Sequence, residues 1–302
     1  MNVQRILFPT DLTPLSFRAL DDAIGLARSY GAELHVLHAV VLFADDPYNP
    51  AYHFPDVDRV FHDLRDKAET ELSQILKEHH AEDLAVVRVH QRGVAAGPMI
   101  LEYAEKNHID LIVMSTHGRR GLSKVLLGSV TEEVVQLAKC PVLTLNPSCV
   151  DANKSTFERI LVPVDFSDHS KKAIEVAAGL AARFGASVML LHVIEEAVLP
   201  PFYMVGVDHL ASAPELAEQT ENELSRLVSL FEEAPKSASV HVTKGHPAKE
   251  IAEFARLQKA DLLVIATHGL TGLEHFLLGS VTEKVVRSAP CAVLTLKAFP
   301  RS

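Results

Sequence analysis

Hydrophobic and polar residues follow two different periods along this chain, and the periods predict a repeating order of strands and helices. Short runs of apolar, β-branched residues are separated by longer stretches in which apolar residues recur every three or four positions. The short runs are typical of buried parallel strands, and the longer stretches are typical of amphipathic helices. In the first half of the chain, the predicted strands cover residues 5–8, 33–39, 85–90, 111–115 and 142–145.

The first two predicted helices show the clearest apolar faces. Their apolar positions are Phe17, Leu20, Ile24 and Ala27, then Leu64, Ala68, Leu72, Ile75 and Leu76. Strands that alternate with helices imply an α/β fold with a parallel sheet and right-handed crossovers. In such a sheet, ligands bind beyond the carboxyl ends of the strands, where the strand order reverses.

The second half of the chain repeats the first. The segment "DLIVMSTHGRRGLSKVLLGSVT" from Asp110 aligns with "DLLVIATHGLTGLEHFLLGSVT" from Asp261, and 14 of 22 positions are identical. "RILFPTD" likewise matches "RILVPVD", and the copies end in "CPVLTL" and "CAVLTL". We therefore predict two tandem Rossmann-like α/β domains, residues 1–146 and 159–302, each with a five-stranded parallel sheet, joined by a linker at 147–158.

Composition narrows the class of protein. The chain has 302 residues, of which 48% are hydrophobic, and its net charge is −10. The negative charge argues against binding to nucleic acid or to an anionic membrane. Cys140 and Cys291 open the last strands and belong to no CxxC pair, so we expect small buried thiols in a reduced compartment. With no secretory or membrane-spanning pattern, we expect a cytoplasmic protein.

Glycines at a fixed spacing follow the fourth strand of each copy. Ser129 with Glu132, and Ser280 with Glu283, match a capping box, so we expect these serines to cap helices. Free N–H groups and the positive end of the dipole also make such helix starts anion sites. Neither a P-loop nor a G-x-G-x-x-G motif occurs. The residues expected near phosphate are His117, Gly118, Gly128, Ser129, Val130 and Thr131, with His268, Gly269, Gly279, Ser280, Val281 and Thr282.

An aspartate ends the first strand of each copy, within "PTD" (Pro9, Thr10, Asp11) and "PVD" (Pro163, Val164, Asp165). Thr13 suits the cap of the next helix and Pro14 its first position, so the cap does not require Asp11. A carboxylate there suits ribose hydroxyls, and a solvated loop aspartate is the alternative. A phospho-acceptor role would require further acids that "RILFPTD" lacks.

No metal-ligand spacing is found among the histidines and cysteines, so we predict no dedicated metal site; Mg²⁺ would arrive with a nucleotide. His38 and His192 end the second strands, and His117 and His268 either donate to phosphate or order their loops. Arg119 and Arg120 add charge in the first copy alone, where a phosphate contact and a solvated pair are equally good interpretations. The long Pro-rich loops after the second strands are either lids over a base or covering loops.

These motifs resemble the universal stress protein family in its tandem form. The carrying residues are "PTD" and "PVD", "STHG" and "ATHG", "GSV" and the terminal "CPVLTL" and "CAVLTL". The resemblance implies an adenine nucleotide alpha hydrolase-like fold and the ATP-binding motif G-2x-G-9x-G-(S/T), whose first glycine is replaced by Ser115 and Ala266. It also implies that Asp11 and Asp165 contact ribose. Adenine would contact the backbone of Ala39, Val40, Val193 and Ile194.

The family resemblance further implies an assembly and a role. The last strands, 142–145 and 293–296, would pair antiparallel as an internal pseudo-dimer, and two chains would form a homodimer. The favoured function is binding of ATP or a related adenine nucleotide as a regulator or sensor. Hydrolysis is expected to be slow at most, because Glu132 and Glu133, the nearest acids, are explained by the cap and by solvent.

An interaction module with decayed nucleotide sites, acting through an unknown protein partner, is the alternative function, and the replaced first glycines favour it. Adenylyl transfer on a related fold has no clear signature in this sequence. The motifs alone do not show whether one copy binds nucleotide better than the other.

Overall fold

A computed structural model describes residues 1–42, 45–46, 49–53, 56–116, 127–146, 156–195, 213–228, 238–267 and 279–297. These residues form two compact units, Asn2–Thr156 and Phe157–Ala298, which are called the first and second unit below. Each unit contains a parallel five-stranded sheet with helices packed against it. The predicted fold class is confirmed.

The strands of the first unit are β1 (Arg5–Thr10), β2 (Glu33–Val41), the short antiparallel pair β3 (Asp45–Asp46) and β4 (Asn49–His53), β5 (Val86–Gly93), β6 (Leu111–Ser115) and β7 (Val142–Leu145). Its helices are α1 (Pro14–Phe17), α2 (Leu20–Tyr30), α3 (Val57–Glu78), α4 (Ala96–Lys106) and α5 (Ser129–Leu137). The order in the sheet is β7-β6-β1-β2-β5, so the strand order reverses between β1 and β6.

The second unit repeats this arrangement. Its strands are β8 (Arg159–Pro163), β9 (Ser187–Glu195), β10 (Ala238–Gly245), β11 (Leu262–Ala266) and β12 (Ala292–Leu296). Its helices are α6 (Asp168–Phe184), α7 (Ala213–Leu227), α8 (Pro247–Leu257) and α9 (Ser280–Ser288). The order in the sheet is β12-β11-β8-β9-β10, with the reversal between β8 and β11.

The strands form because both faces of each sheet are covered, and the core is correspondingly aliphatic. β6, β7, β11 and β12 are buried at every position, as near-continuous apolar runs predict. Cys140 and Cys291 are buried thiols, as expected from the sequence. In the described ranges no helix is long and apolar enough to cross a membrane.

Helix boundaries follow local chemistry at most positions. Thr13 caps α1, with its hydroxyl accepting the N–H of Ser16 at 3.3 Å, and Pro14 takes the first helical position, as predicted. Gly31 and Gly185 end α2 and α6 in the left-handed conformation. The predicted first helix is divided, because the chain leaves the helix after Phe17 and re-enters it at Leu20. In the second unit the corresponding helix, α6, is continuous.

A chain of buried polar groups lies inside the first unit. The Tyr103 hydroxyl on α4 is 2.7 Å from Nδ1 of His35, and Nε2 of His35 is 2.9 Å from the Glu33 carboxylate. Burial and the Glu33 charge raise the pKa of Tyr103, which keeps its hydroxyl protonated. Met189 and Phe254 stand at the positions of His35 and Tyr103 in the second unit, so the fold itself does not require these polar groups.

Candidate functional site

The sheet order brings the predicted site segments into one row. The carboxyl ends of β2, β1 and β6 are consecutive in the first unit, and those of β9, β8 and β11 are consecutive in the second. Two strand spacings of about 4.8 Å separate the outer members of each row, so the row spans about 10 Å. That span suits a ligand with three successive parts, and it lies where the strand order reverses.

The middle of the row contains Asp11 in the first unit and Asp165 in the second. Asp11 Oδ1 accepts the N–H of Thr13 at 3.1 Å and its hydroxyl at 2.6 Å. Asp165 Oδ1 accepts the N–H of Ser167 at 3.0 Å and its hydroxyl at 2.6 Å. Each aspartate thus orients the residue that caps the following helix. Thr13 is the cap, as expected from the sequence, and the hydrogen bonds that join it to Asp11 were not predicted.

Strained backbone follows each aspartate, a feature that the sequence analysis missed. Leu12 and Phe166 both have φ of 62°, in the left-handed region that bulky residues rarely adopt. The Leu12 N–H donates to Thr10 Oγ1 at 3.0 Å, which holds this conformation in the first unit. The Phe166 ring lies 4.9 Å from the His192 ring, measured between centroids. No composition signal marks these positions, because glycine or asparagine would be expected there.

The histidines at the strand ends have local hydrogen-bond partners. His38 Nδ1–H donates to the Thr10 carbonyl at 3.1 Å, and His192 Nδ1–H donates to the Val164 carbonyl at 2.7 Å. The ring must donate in both cases because a carbonyl oxygen only accepts. Across the part of the chain that the structure describes, no group of three His, Cys, Asp or Glu residues is arranged to hold a metal ion.

At one end of the row, the second strand extends beyond its pairing with the first strand, and this extension is called the overhang below. β1 pairs with β2 only as far as Thr10 and His38, whereas β2 continues to Val41 beside β5. Val40 therefore lies inside the strand together with Ala39, which corrects the strand end predicted at Ala39. Val193 and Ile194 likewise lie inside β9.

Backbone alternation decides which overhang residues face the open side. The N–H groups of Leu34 and Leu42 donate to the carbonyls of Ala85 and Gly93, on the β5 side of the sheet. The backbone N–H and C=O groups of even-numbered residues in β2 therefore face β5. The backbone groups of Val40 consequently face β5, and those of Ala39 and Val41 face the side where β1 has ended. Val41 was not among the predicted residues, although the same alternation in the sequence pattern identifies it.

The other end of the row is the start of α5 or α9. Gly128 and Gly279 are the N-cap residues, and neither helix start has a side-chain cap. Ser129 and Ser280 are the first helical residues, so the predicted capping boxes were wrong. The N–H of Gly128 donates to the Thr116 carbonyl at 2.9 Å, and a Cβ on Gly128 would lie 3.3 Å from that oxygen. Close approach of backbone, not positive φ, therefore favours glycine here.

A threonine fixes each of these helix starts to the preceding strand. Thr131 Oγ1–H donates to the Ser115 carbonyl at 3.0 Å, and Thr282 Oγ1–H donates to the Ala266 carbonyl at 2.8 Å. The first N–H groups of a helix have no intrahelical acceptor, and a glycine cap supplies no side-chain oxygen. Each helix start therefore presents backbone donors and the positive end of its dipole at the sheet edge.

Other predicted residues have mixed outcomes. Ser115 and Ala266 are the buried last residues of β6 and β11, where a small side chain is accommodated. Glu133 is not simply solvated: a Cβ on Gly97 would lie 1.9 Å from Glu133 Oε2, so this carboxylate lies against the first turn of α4. The predicted residues His117, Gly118, His268 and Gly269, and the arginines Arg119 and Arg120, lie outside the described residues.

The fold and the repeated sheet edge define a tandem Rossmann-like α/β protein. The model of the universal stress protein family matches residues 2–146 and again residues 156–297. The chain belongs to the universal stress protein family.

Similar proteins agree with this assignment. A universal stress protein of Methanocaldococcus jannaschii is 35% identical over 150 residues, which is 50% of this chain and 88% of that protein. One from Thermus aquaticus is 34% identical over 144 residues, covering 47% of this chain and 99% of its own. The crystal structure of an Archaeoglobus fulgidus universal stress protein aligns with a TM-score of 0.73 at 23% identity, covering 99% of this chain and 100% of its own. That structural likeness supports the fold.

Proposed function

We propose that each unit binds a nucleotide at the row formed by its second strand, first strand and glycine-capped helix, with ATP the expected ligand. The carrying observation is the duplicated helix start at Gly128 and Gly279, which presents backbone donors without a side-chain cap. Because it occurs at the switch point of both sheets, it lies where α/β folds bind ligands.

The three parts of a nucleotide match the three positions of the row. Phosphate oxygens would accept the N–H groups of Ser129, Val130 and Thr131, whose orientation the Thr131 side chain secures. The ribose hydroxyls would donate to Asp11. The base would pair with the open backbone edge of β2 at Ala39. In the second unit these roles fall to Ser280, Val281 and Thr282, to Asp165 and to Val193.

The proposed role is that of a sensor or regulator in the cytoplasmic stress response, with slow hydrolysis at most. Phosphoryl transfer requires a group that positions the attacking water, together with neutralisation of charge on the phosphates. The Glu133 carboxylate on α5 lies against the first turn of α4, beside Gly97. If Mg²⁺ accompanies the nucleotide, phosphates and water would supply most of its ligands.

An interaction module without nucleotide is the second candidate, and one observation favours it. Ser115 and Ala266 stand where the nucleotide-binding branch of the family has a glycine, and both are buried strand residues. A side chain at these positions restricts how closely a ligand reaches the backbone.

Dimerisation of the chain is a further prediction, and light scattering of the purified protein tests it.

The deciding experiment counts nucleotide bound to freshly purified protein. The protein is denatured, and the released nucleotide is identified by chromatography and mass and expressed as moles per chain. Two moles of nucleotide per mole of chain would support occupancy of both units. A chain that carries none and gives no heat with added Mg-ATP contradicts the proposal. Asp11→Asn combined with Asp165→Asn should release nucleotide, whereas the surface control Asp66→Asn should not.

A further inference from the structure

The base ends of the two proposed sites carry opposite chemistry. In the first unit this end is lined by Val41 and Val94, which are 43% and 69% exposed. Val41 is in register with Gly93, and Val94 follows directly. In the second unit Glu195 is in register with Gly245, and His246 follows directly. The exposed valine Val41 in one site therefore corresponds to the exposed carboxylate Glu195 in the other. Val94 and His246 both follow the paired glycine, but His246 is the N-cap of α8, the position that Ala95 occupies before α4.

Val41 and Glu195 lie on the face of their sheets against which α5 and α9 pack. Odd-numbered residues of β2 face α4, as the hydrogen bond between His35 and Tyr103 demonstrates, and α4 packs on α5. In the second unit, His241 is in register with Leu191 and its ring lies 4.9 Å from that of Phe254 on α8. Odd-numbered residues of β9 therefore face α8, which packs on α9.

The Glu195 carboxylate is available for a ligand. It makes no hydrogen bond or ion pair with any other residue in the described ranges, and its position at the strand end is exposed. A carboxylate accepts hydrogen bonds and donates none, so it selects a ligand edge that carries N–H donors. Guanine presents two such donors on one edge, N1–H and the N2 amino group. At the same edge adenine has the N1 acceptor and the C2–H group, and its amino donor is at N6 on the other side of N1, so a carboxylate placed there finds no pair of donors.

Val41 and Val94 impose the reverse preference. Exposed aliphatic side chains favour contact with an apolar surface such as the face of a purine ring. They offer no acceptor for the extra N–H donors of guanine, which would lose hydrogen bonds to water without replacement. The first site thus suits adenine.

We propose that the two halves select different purines: the first unit takes an adenine nucleotide and the second unit a guanine nucleotide, with Glu195 as the discriminating residue. This inference rests on the proposed function, because it assigns a ligand class to the same pair of sites. His246 adds a second polar group on the same side of the second site.

The test is calorimetric titration of the full chain with ATP, GTP and inosine triphosphate, which lacks the N2 amino group. Each site is measured alone by disabling the other with Gly128→Val or Gly279→Val. We expect the second site to bind GTP at least tenfold more tightly than ATP, with inosine triphosphate in between. The first site is expected to prefer ATP by a similar factor.

Reciprocal substitutions link the preference to these side chains. Glu195→Val with His246→Val should reverse the preference of the second site by tenfold or more, and Val41→Glu with Val94→His should shift the first site toward GTP. Glu195→Gln keeps the shape of the side chain and should still lose most of the discrimination, since an amide has only one acceptor oxygen. The surface control Glu175→Gln should change neither site.

The outcomes separate this inference from the proposed function. Two ATP per chain with no preference for GTP at the second site would overturn the base assignment and leave nucleotide binding intact. An unchanged preference after Glu195→Gln, in a variant with the wild-type circular dichroism spectrum, would also overturn it. Absence of all nucleotide binding would overturn the proposed function and this inference together.

Discussion

Asp22 in the first turn of α2 is a buried carboxyl group whose charge should destabilise the first unit at neutral pH. Its Oδ2 atom is buried and has no hydrogen-bond partner among the described residues. Burial and then the neighbouring charge of Asp21 raise the pKa of Asp22 from 3.8 to about 7. Val176 occupies the same position in the second unit, so an apolar side chain fits this site of the fold.

The magnitude follows from proton linkage. A folded-state pKa about three above the unfolded value corresponds to about 4 kcal/mol once the group is fully ionised in both states. Because the folded state prefers the neutral acid, there is no penalty below pH 3.8. Stability then falls as the pH rises toward 7, where the carboxyl group ionises in the folded protein as well. Above that pH the whole penalty applies, reduced to roughly 2–4 kcal/mol by the partial exposure of the group.

Asp22→Asn and Asp22→Val should therefore stabilise the first unit at pH 8 and change it little at pH 4. Urea unfolding followed by circular dichroism at several pH values measures this difference, with Asp66→Asn as an exposed carboxylate control. A wild-type protein and Asp22→Asn variant that share one pH profile would refute the reasoning. So would a constant offset between the two profiles, because a lost contact does not titrate.

Three further predictions concern single contacts in the first unit. Gly97→Ala should change the free energy of unfolding by no more than about 1 kcal/mol in a thermal melt, because its Cβ meets only the Glu133 carboxylate, the far end of a flexible side chain, and alanine favours the helix. A larger loss, restored by adding Glu133→Ala, would show that the Glu133 side chain is held in place. Thr131→Val should lower the free energy of unfolding in urea by about 1–2 kcal/mol, because it removes the hydrogen bond that fixes the start of α5. The same variant should weaken nucleotide binding, and unchanged binding would contradict the positioning role of Thr131. Tyr103→Phe should cost about 1–3 kcal/mol by leaving Nδ1 of His35 without a hydrogen-bond partner, and the double variant with His35→Met, which copies the second unit, should recover stability in the same melts.

The sequence periodicity was sufficient for the five parallel strands of each unit, because the central strands are apolar along their length and the helices between them have an apolar face. It did not predict the short pair β3 and β4 or the division of the first helix. The strand ends were set too early, at Phe8 and Ala39, since β1 pairs with β2 as far as Thr10 and β2 pairs with β5 as far as Val41. The position of the proposed ligand edge follows from the fold class alone.

The details of the site depended on contacts that a local pattern does not contain. Ser129 fits a capping box by spacing, but the Thr116 carbonyl occupies the space beside Gly128 and makes glycine the cap. Asp11 looked independent of its neighbours, whereas its carboxylate bonds to the cap residue itself. The conformation of Leu12 is set by the Thr10 hydroxyl, and no composition signal indicates a left-handed residue at a leucine.

The left-handed conformation of Leu12 also affects the entropic cost of binding a ligand at this turn. Its turn is already held by the Thr10 hydroxyl and the Asp11 carboxylate in the absence of any ligand. A molecule that binds there does not have to order this turn, so the entropic cost of association is reduced in advance. The turn behaves as a rigid template, and the strain is supplied by folding rather than by the ligand.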